Sequence, residues 1–143
     1  MATLTIGKLA QASNVQIDTI RYYERRGLLT PESRTPSGYR LYGLESLRRV
    51  KFIKKAQGLG FSLTEIAQLL HFGVDQDATK ADVLRLTAQK IAEHKAKIRE
   101  LEELQRTLAA VAELCDGDDS PARDCPILEF LYPDDTDLTA AMP

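Results

Sequence analysis

The sequence predicts a mainly α-helical chain. It would have a winged helix-turn-helix head, a long dimerising helix, and a C-terminal loop closed by a short helix. Three observations carry this. An amphipathic stretch from about Thr79 to Leu114 contains no Gly or Pro. Positive charge gathers at the N-terminal end: residues 1–57 carry eleven Lys/Arg against four acids, and residues 58–143 carry eight against seventeen. The only two cysteines, Cys115 and Cys125, bracket a loop directly after the long stretch. A basic head on an acidic body points to a nucleic-acid-binding end and a separate regulatory end. No apolar run is long enough to span a membrane, and no positive-then-apolar leader suggests export. The chain is therefore expected in the cytoplasm, where a pair of cysteines serves as thiols or metal ligands rather than as a staple.

In the head, Thr5 is placed to cap a short helix with Ile6, Leu9 and Ala10 on its inner face. Ser13-Asn14 reads as a turn, and a second helix runs from about Gln16 to Arg26, with Val15, Ile17 and Ile20 packing inward. Two short helices joined by a tight turn in a basic segment suggest a helix-turn-helix. Asp18, Arg21, Tyr22 and Arg25 then lie on or near the exposed face of the second helix. The planar fork of Arg21 suits a guanine edge or a phosphate. Gly27 ends this helix. The segment from Arg34 to Tyr42 carries the Pro, Ser and Gly of turns and ends in an alternating Tyr39–Tyr42 run, a β-wing. Its arginines and tyrosines offer charge and rigid hydroxyl donors to a phosphate backbone. One of the two rings, Tyr39 or Tyr42, is expected to plug the core while the other reaches out.

A third helix, from Leu44 to about Leu59, presents Leu47, Val50, Phe52, Ile53 and Ala56 as its apolar face. Ser62 and Glu65 form the capping box of a fourth, with Leu63, Ile66, Leu69 and Leu70 inward. His71 to Ala78 is a polar hinge. The long helix follows, roughly 35 residues and ~50 Å at 1.5 Å per residue. Its seam is Leu84, Ile91, Ile98, Leu101, Leu108 and Ala112, widened by Leu104 and Val111. One small domain cannot bury so long a stripe, so it is a coiled-coil surface.

Gly117, Pro121 and the acids after Cys115 stop the long helix. Pro126 favours the first position of a new helix, which puts Cys125 at its N-cap, near free N–H groups that favour thiolate. Ile127, Leu128, Phe130 and Leu131 form a short apolar helix that could dry the site as a lid. Two thiolates in a dry pocket suit linear coordination of a soft ion such as Cu(I), whereas Zn(II) usually takes four ligands. Residues 132–143 are acidic and expected to be disordered. The expected divisions are thus 1–75 for the DNA-binding head, 76–114 for the coiled coil, 115–131 for the loop and lid, and 132–143 for the tail.

The residues Thr5-Ile6-Gly7-Lys8-Leu9-Ala10, Ile20-Arg21-Tyr22-Tyr23-Glu24-Arg25-Arg26-Gly27-Leu28-Leu29, Arg34, Gly38-Tyr39-Arg40-Leu41-Tyr42 and Leu59-Gly60-Phe61-Ser62-Leu63-Glu65-Ile66 resemble the MerR family of transcription regulators. The resemblance is dense over about the first 70 residues. It implies an antiparallel coiled-coil homodimer on double-stranded promoter DNA, with Arg21, Tyr23, Arg34, Tyr39 and Arg40 as DNA contacts. It further implies a C-terminal effector site that activates transcription by RNA polymerase when the dimer bends and untwists an overlong promoter. The loop resembles that of the family's metal sensors, most of all the copper sensors, which share Cys, Gly-Asp-Asp and Cys-Pro-Ile; Ag(I) and Au(I) would act as mimics. The loop is longer than is usual for those sensors. Lys80 stands where divalent-ion relatives have a third cysteine and monovalent sensors a serine. In an antiparallel pair, Lys80 of one protomer would lie near the other's Cys115 and offset the net −1 of a monovalent ion on two thiolates.

Rival readings are a sensor of Zn(II), Cd(II), Pb(II) or Hg(II), a thiol redox switch, and a ligand-free architectural DNA binder. An iron–sulfur cluster needs four thiolates. Only 28 residues follow Cys115, too few to build an organic-ligand pocket. No serine–histidine–acid set or phosphate-binding glycine loop supports an enzyme. His94 falls on the seam as a register-setting residue, and His71 reads as surface.

Overall fold

In the computed structural model, residues 3–143 are described, and the chain divides into two units, Met1–Lys90 and Ile91–Pro143. The first unit opens with β1 (Leu4–Thr5), α1 (Ile6–Ser13) and α2 (Ile17–Arg25). Thr5 caps α1 by accepting a hydrogen bond from the Lys8 N–H at 3.3 Å. Asn14 takes the left-handed conformation after α1, φ 54°, and Gly27 does so after α2, φ 73°. At both ends the next N–H reaches back, Val15 to the Ala10 carbonyl and Leu28 to that of Tyr23. These are Schellman closures, and they fix the sharp turn between α1 and α2 and send Leu28-Leu29 into the core.

The wing is β2 (Ser33–Arg34) and β3 (Arg40–Tyr42), antiparallel. Sequence patterning missed its third strand: β1 pairs with the other edge of β3, giving the order β1-β3-β2. Two-residue strands carry no readable alternation. Then come α3 (Leu44–Gly58) and α4 (Leu63–Phe72), the latter held by the expected reciprocal capping box between Ser62 and Glu65. Leu9, Ile20, Tyr42, Val50, Ile53 and Ile66 have no residual exposure and form the centre of the head. Two expected core residues do not join them: Ile17 is 39% and Phe52 43% exposed. Both lie at the edges of their helices' apolar arcs, flanking the buried positions Ile20 and Ile53.

The head's contacts also take in the first turns of α5 (Lys80–Ala112, 33 residues), whose only buried residues on this side are Leu86 and Lys90. In the second unit the rest of α5 presents Ile91, Ile98, Leu101, Leu104 and Leu108, each at least half exposed. A stripe of this kind left bare in one chain is the mark of a helix whose partner is another helix. After it come a single 3-10 turn (Ala122–Asp124), α6 (Pro126–Leu131) and α7 (Asp135–Ala140). The tail expected to lack order therefore contains a short helix, and Asp135 and Asp137 in its first turn complement the helix dipole. No helix among the described residues is long and apolar enough to cross a membrane.

Candidate nucleic-acid interface and metal centre

On the exposed side of α2, Arg21 lies 3.5 Å from Asp18. The Tyr22 ring is flanked by the guanidinium groups of Arg25 and Arg26, at 5.7 and 5.8 Å from its centroid. Arg26 also donates to the Tyr22 hydroxyl at 3.0 Å. The result is a preorganised, doubly cationic aromatic cluster suited to phosphate. Sequence reading placed Tyr22 and Arg25 on this face but not Arg26; the i, i+3, i+4 spacing was the available signal.

The wing divides its residues between reaching and bracing. Tyr39 is 72% exposed, and Arg34 donates to the Gly38 carbonyl at 3.3 Å across the wing turn. Tyr42 is the ring that plugs the core. Its hydroxyl donates to Glu24 Oε1, and burial, then that hydrogen bond, push its pKa far up. Arg40 Nε sits 3.0 Å from Glu24 Oε2. Arg40, expected as a DNA contact, is half-buried and engaged, because Glu24 of α2 clamps β3 with both oxygens. Tyr23 also departs from expectation. It is 2% exposed, its hydroxyl donates to Gln57 Oε1 at 2.7 Å, and burial raises its pKa. It lies three residues after Ile20, on the same inward face, and ties α2 to α3. Arg21, Arg34 and Tyr39 remain open to solvent.

In the second unit the chain leaves α5 at Ala112, and the Cys115 N–H still reaches the Ala112 carbonyl at 3.2 Å. Gly117, at φ 71°, reverses the chain, a conformation that strains residues with a Cβ. Asp118 accepts from the Ser120 N–H at 2.8 Å, and the 3-10 turn delivers Cys125 as N-cap of α6, with Pro126 at the first helical position. The two thiols are free, half-buried and share an S–H···S hydrogen bond at 3.2 Å. One ion bonded linearly to both sulfurs at ~2.3 Å each would hold them ~4.6 Å apart, so the sulfurs, 3.2 Å apart here, would separate on taking such an ion between them. The Cys115 hydrogen bond, then the N–H groups of Ile127 and Leu128, lower the Cys125 pKa, while the same sulfur–sulfur bond raises that of Cys115. The N–H groups at the start of α6 thus favour thiolate at Cys125. Glu113, Asp116, Asp118 and Asp124 line the surrounding cleft of ≈ 640 Å³, an acidic approach for a cation. Among the described residues, no group of three or more His, Cys, Asp or Glu side chains converges into a metal-holding set. Lys80 opens α5 in the first unit, exposed, and His71 lies 3.5 Å from Asp75.

A helix-turn-helix whose outer helix is braced to a basic wing defines a DNA-binding protein. Comparison makes the class specific. Residues 4–72 match the model described as "MerR HTH family regulatory protein", and residues 47–111 match "MerR, DNA binding". The HTH-type transcriptional regulator HmrR of Rhizobium leguminosarum bv. viciae is 44% identical over 128 residues, covering 90% of this chain and 97% of that protein. Heavy metal-dependent transcription regulator 2 of Rhizobium meliloti (strain 1021) is 40% identical over 126 residues, 88% of this chain and 84% of its own. The crystal structure of the transcription regulator PbrR691 from Ralstonia metallidurans CH34 in complex with lead(II) aligns at TM-score 0.76 and 32% identity, covering 90% of this chain and 99% of that one. The chain belongs to the MerR family of helix-turn-helix transcription regulators, which are not enzymes.

Proposed function

We propose that this protein is a homodimeric, metal-responsive activator that binds Cu(I) through Cys115 and Cys125 and distorts promoter DNA for RNA polymerase. The observation that carries the reading is the pair of free sulfurs that the loop brings together, with no group of three or more His, Cys, Asp or Glu ligands among the described residues. Two soft thiolates match a soft, low-coordinate ion. Heavy-metal relatives at 40% identity support metal sensing in general.

Arg21, Arg34 and Tyr39, with the Tyr22–Arg25–Arg26 cluster, are the proposed DNA contacts; Tyr23 and Arg40 position them. Residues 1–75 form the head, 76–114 the coiled coil, 115–131 the sensor loop and lid, and 132–143 an appended tail. Each ion on two thiolates leaves a net −1 if monovalent. Lys80 of the partner protomer, brought near by antiparallel pairing, offsets it and disfavours divalent ions. Bending promoter DNA costs several kcal/mol, so the metal must bind the activating state more tightly than the resting one.

The second reading is a divalent sensor. The relative solved with lead(II) favours it, as do the nine residues between the cysteines, a longer loop than is usual for the copper sensors. Anaerobic titration against a chelator of known affinity separates the two. The copper reading expects one Cu(I) per loop, bound far more tightly than Zn(II), Cd(II) or Pb(II). Tighter Pb(II) binding, or dependence on a third ligand, would replace it with the divalent reading.

A further inference from the structure

The long helix must communicate with the head, yet on the head side it buries only Leu86 and Lys90. These residues are one turn apart, on one face. Leu86 is an apolar contact that tolerates sliding. Lys90 is different. Its ammonium lies 2.9 Å from Glu65 Oε1, with both side chains largely shielded, at 10% and 18% exposure. It also lies 5.9 Å from the centre of the Phe61 ring.

Glu65 is not a spare carboxylate. The same Oε1 accepts the Ser62 N–H at 2.8 Å, completing the capping box that starts α4. The Ser62 N–H, then Lys90, hold its carboxyl below the usual range. Phe61 occupies the link between α3 and α4 and packs on the core. One oxygen therefore joins three things: the start of α4, the α3–α4 link, and the first turns of α5.

We propose that Lys90 and Glu65 are the positioning pair that passes movement of the long helix to the DNA-binding head. The inference rests on the metal-responsive reading above. A shielded ion pair is sensitive to distance and direction. Helix shifts of ~1–2 Å are the usual size of such transitions. A shift of α5 that large would draw Nζ from Oε1 or carry Glu65 with it. Moving Glu65 disturbs the α4 cap and the link that Phe61 anchors, and so the seating of α3 against the recognition helix. Leu86 alone could hold α5 nearby but could not set its register.

The test uses the full-length protein and the metal salt that gives the largest wild-type response in a promoter-fusion panel. Lys90→Met keeps the apolar stem and removes the charge. Glu65→Gln keeps a residue able to complete the capping box. Both variants should bind promoter DNA within about threefold of wild type and bind metal normally, yet lose at least fivefold in induction ratio. Lys90→Arg, which keeps the cation beside Glu65, should retain much of that ratio. A normal ratio in both Lys90→Met and Glu65→Gln would overturn the proposal. So would parallel loss of DNA binding, thermal stability and induction, which would mark simple glue. If wild type responds to no metal, the underlying reading fails first, and the coupling role fails with it.

Discussion

Glu24 shows how individual side chains divide the work. Its two oxygens hold Tyr42 and Arg40, so α2 and the wing are held as one braced unit. Hydrogen bonds to charged groups contribute about 1.5–3 kcal/mol. Glu24→Ala should therefore lower stability by about 2 kcal/mol in urea unfolding and weaken promoter binding, while a mostly exposed control such as Tyr39→Phe leaves stability unchanged. Equal stability for Glu24→Ala would mean that the clamp is idle. Arg34→Ala should weaken binding to all sequences alike and reduce the salt slope of log K by about 1, measured by anisotropy titration across salt concentrations. Tyr23 and Arg40 show where the structure adds a bracing role to residues expected as DNA contacts. Three-residue spacing from Ile20 already put Tyr23 on the inner face, and only the family resemblance made it a contact. Arg40 could not be recognised as a brace, because its partner Glu24 lies sixteen residues away and nothing local pairs them. Acid sensitivity follows from Glu65. Its folded pKa is depressed, so its contribution is complete above the ordinary carboxylate value of about 4.5 and is lost as pH falls through the lower folded value. Thermal melts should show wild type losing stability below about pH 4.5 more steeply than Glu65→Gln.

Helices were legible where their ends are written in capping residues: Thr5 for α1, Gly27 for α2, Ser62 and Glu65 for α4, Pro126 for α6. Local hydrogen bonds decide those ends, so local sequence reveals them. β1 was not legible, since a two-residue strand exists only by pairing with distant β3. Nor was α7, whose acidic composition signals solvation as readily as a first turn. The loop closure at Cys125 was legible for the same reason as the caps, but the 3.2 Å meeting of the sulfurs depends on the 3-10 turn, which no residue pattern announces. The bare seam of α5 carries its own prediction. Ile98→Asp with Leu101→Asp buries charge in the proposed coiled coil and should convert a dimer to a monomer in sedimentation experiments while the head stays folded. A dimer that persists would place the interface elsewhere.

For the whole chain, the proposed logic joins a thiol pair in the second unit to a braced DNA reader in the first. Sequence alone separated these functions through charge: a head with an excess of bases and a body with an excess of acids. It could not name the ion, because two cysteines fix softness while charge and coordination number depend on neighbours. The most direct test is a promoter fusion exposed to Cu(I), Ag(I), Zn(II), Cd(II), Pb(II) and Hg(II), with wild type beside Cys115→Ser and Cys125→Ser. The account predicts strong induction by copper and silver, little by zinc or cadmium, and none in either serine variant. Induction led by a divalent ion, or full copper induction without one of the two thiols, would contradict it.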